Sequence, residues 1–134
     1  MRNTKPEVLL VSNRDEAGLQ EILRRRANLT EAASIAEMLR LLASREFDAV
    51  LCDWQLSEGT WREAFRELQA RRVATPAIVI SQTREIDEGI EEWTEVLNAG
   101  AFDLLLAPSN EYSVLAVMEH ALASGEARAR RASA

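Results

Sequence analysis

Asp53 closes the apolar run FDAVLC at 47–52, Ser81 closes AIVI at 77–80, and Ser12-Asn13 follow VLLV at 8–11. One carboxylate, two hydroxyls and an amide therefore stand at the ends of three apolar runs. Ala107 stands in the same relation to a fourth, LLL at 104–106. Little else in the chain can do chemistry. The sequence holds one histidine and one cysteine, which argues against a structural zinc site, since such sites draw mostly on Cys and His in sets of about four. A Ser/His/Asp triad could use only His120, and no nucleophile turn lies around it. His120 is expected to be structural or at the surface. Cys52, inside an apolar run, is expected to be a small buried hydrophobe rather than a reactive thiol.

The elements that must position these residues follow from periodicity. Residues 8–11, after Pro6, read as a buried strand. From Asp15 the period changes: Leu19, Ile22 and Leu23 recur at helical spacing, and Arg24, Arg25 and Arg26 suit the end of a helix dipole. Residues 29–33 read as a second strand. Ser34 caps a helix with Ile35, Met38, Leu39 and Leu42 on one face and Glu37 three residues after the cap. Residues 47–52 form a third strand, ended by Asp53. A helix follows Gly59-Thr60, with Trp61, Phe65 and Leu68 inward. Pro76 introduces a fourth strand at 77–81. A longer helix over about 86–98 carries Ile86, Ile90, Trp93 and Leu97 in register, and Gly100 stops it. Residues 104–106 form a fifth strand. Pro108 precedes a last helix with Tyr112, Leu115, Val117, Met118 and Leu122.

Continuous apolar strands alternating with amphipathic helices imply an α/β fold, a parallel sheet covered on both faces. The predicted architecture is a flavodoxin-like (βα)5 doubly wound sheet of order 2-1-3-4-5. In such sheets the functional site lies beyond the carboxyl ends of the strands, where Ser12, Asn13, Asp53, Ser81 and Ala107 fall. The loop 12–16 lacks the glycine-rich cradle that a phosphate-bearing cofactor needs, which argues against a flavodoxin-like cofactor binder.

The chain has 134 residues, 47% hydrophobic and 28% charged, which fits one soluble domain with a core of its own. The domain is predicted over 1–124, and the small basic segment GEARARRASA at 125–134 is expected to be a disordered tail. No apolar run approaches the roughly 18 residues of a membrane span, and the N-terminus lacks a signal-peptide pattern. A single cysteine suits a reducing cytoplasm. The net charge of −6 argues against a nucleic-acid binder, which needs a basic surface.

The order of the landmarks carries a resemblance. A strand ends in Asp53 and is followed by Trp54, Gln55, Leu56 and Gly59. Pro76 precedes a strand ending in Ser81. Ala99, Gly100 and Ala101 follow, and Pro108 comes after the fifth strand. Over about residues 6–124 the chain resembles the receiver domain of two-component response regulators. The resemblance implies that Asp53 is the phosphoacceptor for a histidine kinase and Ser81 the switch hydroxyl. It also places two neutral residues, Ser12 and Asn13, where the family has a Mg²⁺-binding acidic pair. Ala107 falls on the family's lysine and Leu104 on its switch aromatic. The segment between Ser81 and Gly100 is a few residues longer than the family's, in an acidic stretch.

These departures agree with one another. Mg²⁺ wants carboxylate oxygens in near-octahedral geometry, and phosphoryl transfer depends on positioning and charge neutralisation. Each lost electrostatic donor costs about 3–4 kcal/mol of transition-state stabilisation by analogy with oxyanion-hole deletions. The expectation is an atypical receiver, not an enzyme, that needs no cofactor and acts through a protein partner, either a histidine kinase or a downstream effector. The alternative is a working phosphoacceptor whose Mg²⁺ is held by Asp53, Asn13 and the Gln55 main-chain carbonyl. Asp15 and Glu16 are either stand-in ligands or first-turn acids that suit the helix dipole. Arg14 is either the partner of Asp53 or a solvated loop arginine. Glu85, Asp87, Glu88, Glu91, Glu92 and Glu95 cluster around the fourth helix. The resemblance makes the face of helix four, strand five and helix five an output or homodimer surface. There, Glu88, Glu91, Glu92 and Glu95 would steer a basic partner, and Trp93 is either core or an interface anchor.

Overall fold

A computed structural model describes residues 5–14, 17–81, 86–106 and 111–133. In chain order the elements are β1 (Glu7–Val11), α1 (Ala17–Arg26), β2 (Asn28–Ala32), α2 (Ile35–Ser44), β3 (Ala49–Asp53), β4 (Gln55–Leu56), β5 (Gly59–Thr60), α3 (Trp61–Ala70), β6 (Ala77–Ser81), α4 (Ile86–Asn98), β7 (Asp103–Leu106) and α5 (Glu111–Ser133). Five parallel strands form one sheet in the order β2-β1-β3-β6-β7. This is the predicted 2-1-3-4-5 order, because β6 and β7 are the fourth and fifth strands of the sheet. The antiparallel two-residue pair β4–β5 lies outside it and carries too few residues for any periodicity to announce.

The strands at the centre are apolar because both their faces are covered. Every residue of β3 and β6 is buried. Alternation along β3 sends Val50 and Cys52 into one core, with Met38 of α2, Trp61 and Phe65 of α3 and Val96 of α4. It sends Ala49 and Leu51 into the other, with Leu19, Ile22 and Leu23 of α1 and Val114, Met118 and Ala121 of α5. The sheet thus has α2, α3 and α4 on one face and α1 and α5 on the other. Trp61 is the largest side chain fully enclosed, and it packs edge-on against Phe65 and at a tilt against Trp54.

Two regions refine the sequence reading. On α4, the apolar row Ile90 and Trp93 does not face the core: the two are 56% and 47% exposed, while Val96 is fully buried. The buried row runs through Gly89 and Val96, with the half-buried Glu92 between them. Trp93 tolerates the rim because its indole N–H donates to Asp103 Oδ1 at 3.1 Å, which satisfies the polar end of an amphipathic ring. The second concerns residues 125–133, which continue α5 to Ser133. The run EARARRA is made of strong helix formers, and the single Gly125 costs only about 1 kcal/mol.

Candidate functional site

Parallel pairing puts the carboxyl ends of β1, β3 and β6 side by side. Val11 aligns with Cys52 and Asp53 with Ile80, so Ser12, Asp53 and Ser81 emerge on one edge. The chain just after β3 is held there by backbone bonds. Trp54 N–H donates to the Ile80 carbonyl at 2.8 Å and Trp61 N–H to the Trp54 carbonyl at 3.1 Å. The β4–β5 turn is anchored in turn by the Glu58 carboxylate. It accepts from Ile35 N–H at 3.1 Å and Ala36 N–H at 3.3 Å, the open donors at the start of α2. The Ile35 N–H in first place, then that of Ala36, holds the Glu58 carboxyl below its ordinary range.

Asp53 is completely buried. Its Oδ2 accepts from the Ser12 hydroxyl at 3.1 Å and lies 3.4 Å from Arg14 Nε. The Ser12 hydroxyl has one proton, and the carboxylate is the nearer acceptor, since the Arg14 carbonyl stands at 3.5 Å. Its oxygen meanwhile accepts from Arg14 N–H at 3.1 Å. Ser12 therefore bends the loop so that Arg14 comes back over Asp53. The Arg14 pairing weighed from the sequence is the one the structure adopts. Asp53 Oδ1 is buried and has no hydrogen-bond partner among the described residues.

Asn13 is exposed and makes no hydrogen bond to Asp53 among the described residues. Gln55 is also exposed, and its side-chain amide donates to the Gly59 carbonyl at 3.0 Å. Ser81 is 2% exposed, and its hydroxyl donates to Glu92 Oε1 on α4. Leu104, at the position of the family's switch aromatic, is a buried core residue on the α4 side of the sheet. Ala107, Asp15, Glu16 and Glu85 lie outside the described residues. Cys52 is buried as expected, and burial, with the neighbouring Asp53 charge after it, raises its thiol above the ordinary range. His120 is on the exposed face of α5. Of the fourth-helix acids, Glu88, Glu91 and Glu95 are exposed, with Glu95 paired to Arg62 of α3. Of Glu88, Glu91, Glu92 and Glu95, it is Glu92 that points to the edge of the sheet. Sequence reasoning had placed it with the exposed acids, although its spacing of three from Gly89 and four from Val96 puts it on the buried row.

Among the described residues no cluster of three or more His, Cys, Asp or Glu side chains could hold a metal. Among the described residues, the carboxylate next to Ser12 is that of Asp53, and a guanidinium already lies against it. Mg²⁺ dehydrates only for several well-placed oxygens, and a fixed positive charge at that distance opposes it.

Comparison with known proteins agrees with the geometry. The family described as the response regulator receiver domain matches residues 8–119. The response regulator protein PilR of Pseudomonas aeruginosa is 31% identical over 99 residues, 70% of this chain and 21% of PilR. The chain thus spans about a fifth of the length of the curated relatives it matches. In fold, the chemotaxis response regulator CheY4 of Vibrio cholerae is similar with a TM-score of 0.74 and 21% identity, over 89% of this chain and all (100%) of that one. The signal receiver domain of an HD domain-containing protein from Pseudomonas fluorescens Pf-5 is similar with a TM-score of 0.79 and 22% identity, over 98% of this chain and 96% of that one. By sequence, sheet order and the placement of Asp53 and Ser81, this chain belongs to the response regulator receiver domain family.

Proposed function

We propose that this chain is an atypical receiver of two-component signalling that acts by protein–protein contact, with Mg²⁺-dependent phosphorylation of Asp53 impaired. The observation that carries the reading is the Arg14–Asp53 pair. A guanidinium 3.4 Å from Oδ2 supplies the positive charge that the resemblance assigns to a metal. Ser12 and Asn13 replace the two carboxylates that would hold one. The domain is a cytoplasmic binding module and not an enzyme. None of its described helices is long and apolar enough to cross a membrane.

The contact face is formed by α4, β7 and α5. The exposed large hydrophobic residues among those described are Ile90, Trp93, Leu106 and Tyr112, and all four lie on these elements. Glu88 and Glu91 beside them favour a partner with basic residues around an apolar centre. That partner is a histidine kinase, a downstream effector or a second copy of the chain, and not a nucleic acid.

One observation favours the second reading, a working phosphoacceptor. Asp53 Oδ1 is left without a hydrogen bond among the described residues, so one buried oxygen is not engaged by the Ser12 and Arg14 side chains. Intact mass after incubation with a small phosphodonor, with and without Mg²⁺, separates the two. Wild type is expected to stay unmodified under conditions that fully modify a receiver with the complete site. A Mg²⁺-dependent gain of one phosphoryl group, absent in Asp53→Asn, would overturn the proposal.

A further inference from the structure

The fourth helix carries two rows of residues that could face the sheet. One is apolar at helical spacing: Ile86, Ile90, Trp93 and Leu97. The other is Gly89 and Val96, both buried, with the half-buried Glu92 between them, so that a carboxylate stands at its centre. Hydrophobic burial alone favours the first row, because fully burying each large apolar side chain is worth roughly 1.5–3 kcal/mol. The helix adopts the second. The contact that distinguishes this setting is the hydrogen bond from the buried Ser81 hydroxyl to Glu92 Oε1. Alternation along β6 puts Ser81 on the same side as Val79, in the core shared with Val96 and Leu104. Its hydroxyl is therefore aimed at α4, where Glu92 accepts from it.

We infer that Glu92 is a positioning residue that couples the Asp53 edge to the contact face, by holding α4 in the rotation that leaves Ile90 and Trp93 outside. The inference deepens the proposed reading by naming how its contact face is set. Leu104 lies buried beneath α4, so no aromatic side chain at that position relays the state of Ser81. Glu92 makes the link directly. A group in the cleft that takes the Ser81 hydroxyl, or a partner that draws Glu92 outward, releases the helix to turn toward its apolar row. Trp93 follows Glu92 in the chain, and its indole N–H rests on Asp103 Oδ1 at 3.1 Å. It reports the rotation.

The test uses the indole N–H resonances of the isotope-labelled chain, with that of Trp93 assigned by its loss in Trp93→Phe. Losing a hydrogen bond to a charged acceptor shifts the balance of the two settings by roughly tenfold to a hundredfold. Glu92→Ala and Ser81→Ala are each expected to move the Trp93 resonance in the same direction, and the double variant to do no more than either. Glu92→Gln, whose amide oxygen still accepts from Ser81, is expected to keep the wild-type position. Unchanged resonances of Trp54 and Trp61 certify the fold. A Trp93 resonance that ignores both alanine variants, or responds to Glu92→Ala but not to Ser81→Ala, overturns the inference. No phosphodonor is used, so this experiment can fail while the mass experiment upholds the atypical reading, and the reverse.

Discussion

The α2–α3 side and the α4–β7–α5 side of the molecule use the same residue types for different ends. On the first, carboxylates close helix ends. Glu37 accepts from Ala33 N–H at 2.7 Å, Glu58 caps α2, and Glu63 completes a capping box with Thr60. Aromatic residues there are enclosed, with Trp61 1% exposed. On the second side Trp93 and Tyr112 are 47% and 84% exposed, and Glu88 and Glu91 face solvent. A helix whose polar and aromatic groups are all satisfied internally is fixed in place. One whose groups are left outward can meet a partner. The contrast teaches that the scaffold and the contact face were built from the same composition and differ in what each side chain touches.

The sharpest way to break the contrast is to truncate an aromatic on each side. Trp61→Ala is expected to lower stability by about 3–5 kcal/mol, read from the urea midpoint. Trp93→Ala is expected to stay within about 0.5 kcal/mol of wild type. Equal losses at the two sites would mean that the two faces do not differ as described.

Arg14→Ala comes next. Removing one partner of a buried pair costs about 3–5 kcal/mol, whereas exposed pairs contribute less than about 1 kcal/mol. Arg14 is 42% exposed while the Asp53 side chain is fully enclosed, so an intermediate loss of about 1–3 kcal/mol is expected. In the Arg14→Ala background, Asp53→Asn should restore part of that loss by removing the unpaired charge. A double-mutant cycle showing no coupling would return Arg14 to the status of a solvated loop residue.

Smaller effects sharpen the picture of the capped side. Thr60→Ala removes the α3 cap and is expected to cost about 1 kcal/mol. Gly59→Ala should cost more than the removal of a glycine normally does. Gly59 sits at φ +152°, and a Cβ there would stand 2.9 Å from Glu63 Oε2, so the added carbon strains the turn as well as the cap. Urea midpoints of both variants check this.

The smallest effect is on pH dependence. The backbone N–H of Thr60 holds the Glu63 carboxyl below its ordinary range, and that of Ile35 does the same for Glu58. A carboxylate depressed on folding stabilises the native state fully above its unfolded pKa. That contribution fades as the pH falls through the folded value. Wild type should therefore lose stability on the acid side of the carboxylate range. Glu63→Gln should flatten that limb of the profile and leave the neutral region parallel to wild type.

Much of this was legible in the residues. The strand runs ending at Asp53 and Ser81, the helix over Ile86–Asn98 and the order of the sheet followed from period and punctuation. The start of α3 after Gly59-Thr60 was read as well, while its Thr60–Glu63 capping box came only with the structure. Glu58 was not legible: its partners at Ile35 and Ala36 are 23 and 22 residues away, and no local pattern marks a carboxylate that caps a distant helix. The Arg14 pairing was one of two open readings. The rotation of α4, with Trp93 either core or interface anchor, was left open, because hydrophobic periodicity counts apolar residues and does not see the buried hydroxyl on the neighbouring strand.

The amino-acid sequence by itself determined the parallel α/β scaffold, the edge on which Asp53, Ser12 and Ser81 meet, and the absence of an acidic pair at Ser12 and Asn13. Those features depend on local period and on residue identity, which the chain carries along its length. Only the tertiary structure decided that Arg14 turns back onto Asp53, that Glu92 rather than Trp93 faces the sheet, and that Glu58 fastens the turn to α2. Each of these is a polar contact between segments distant in the chain or between facing elements. Its strength depends on burial and on angles that exist only once the sheet has brought the segments together.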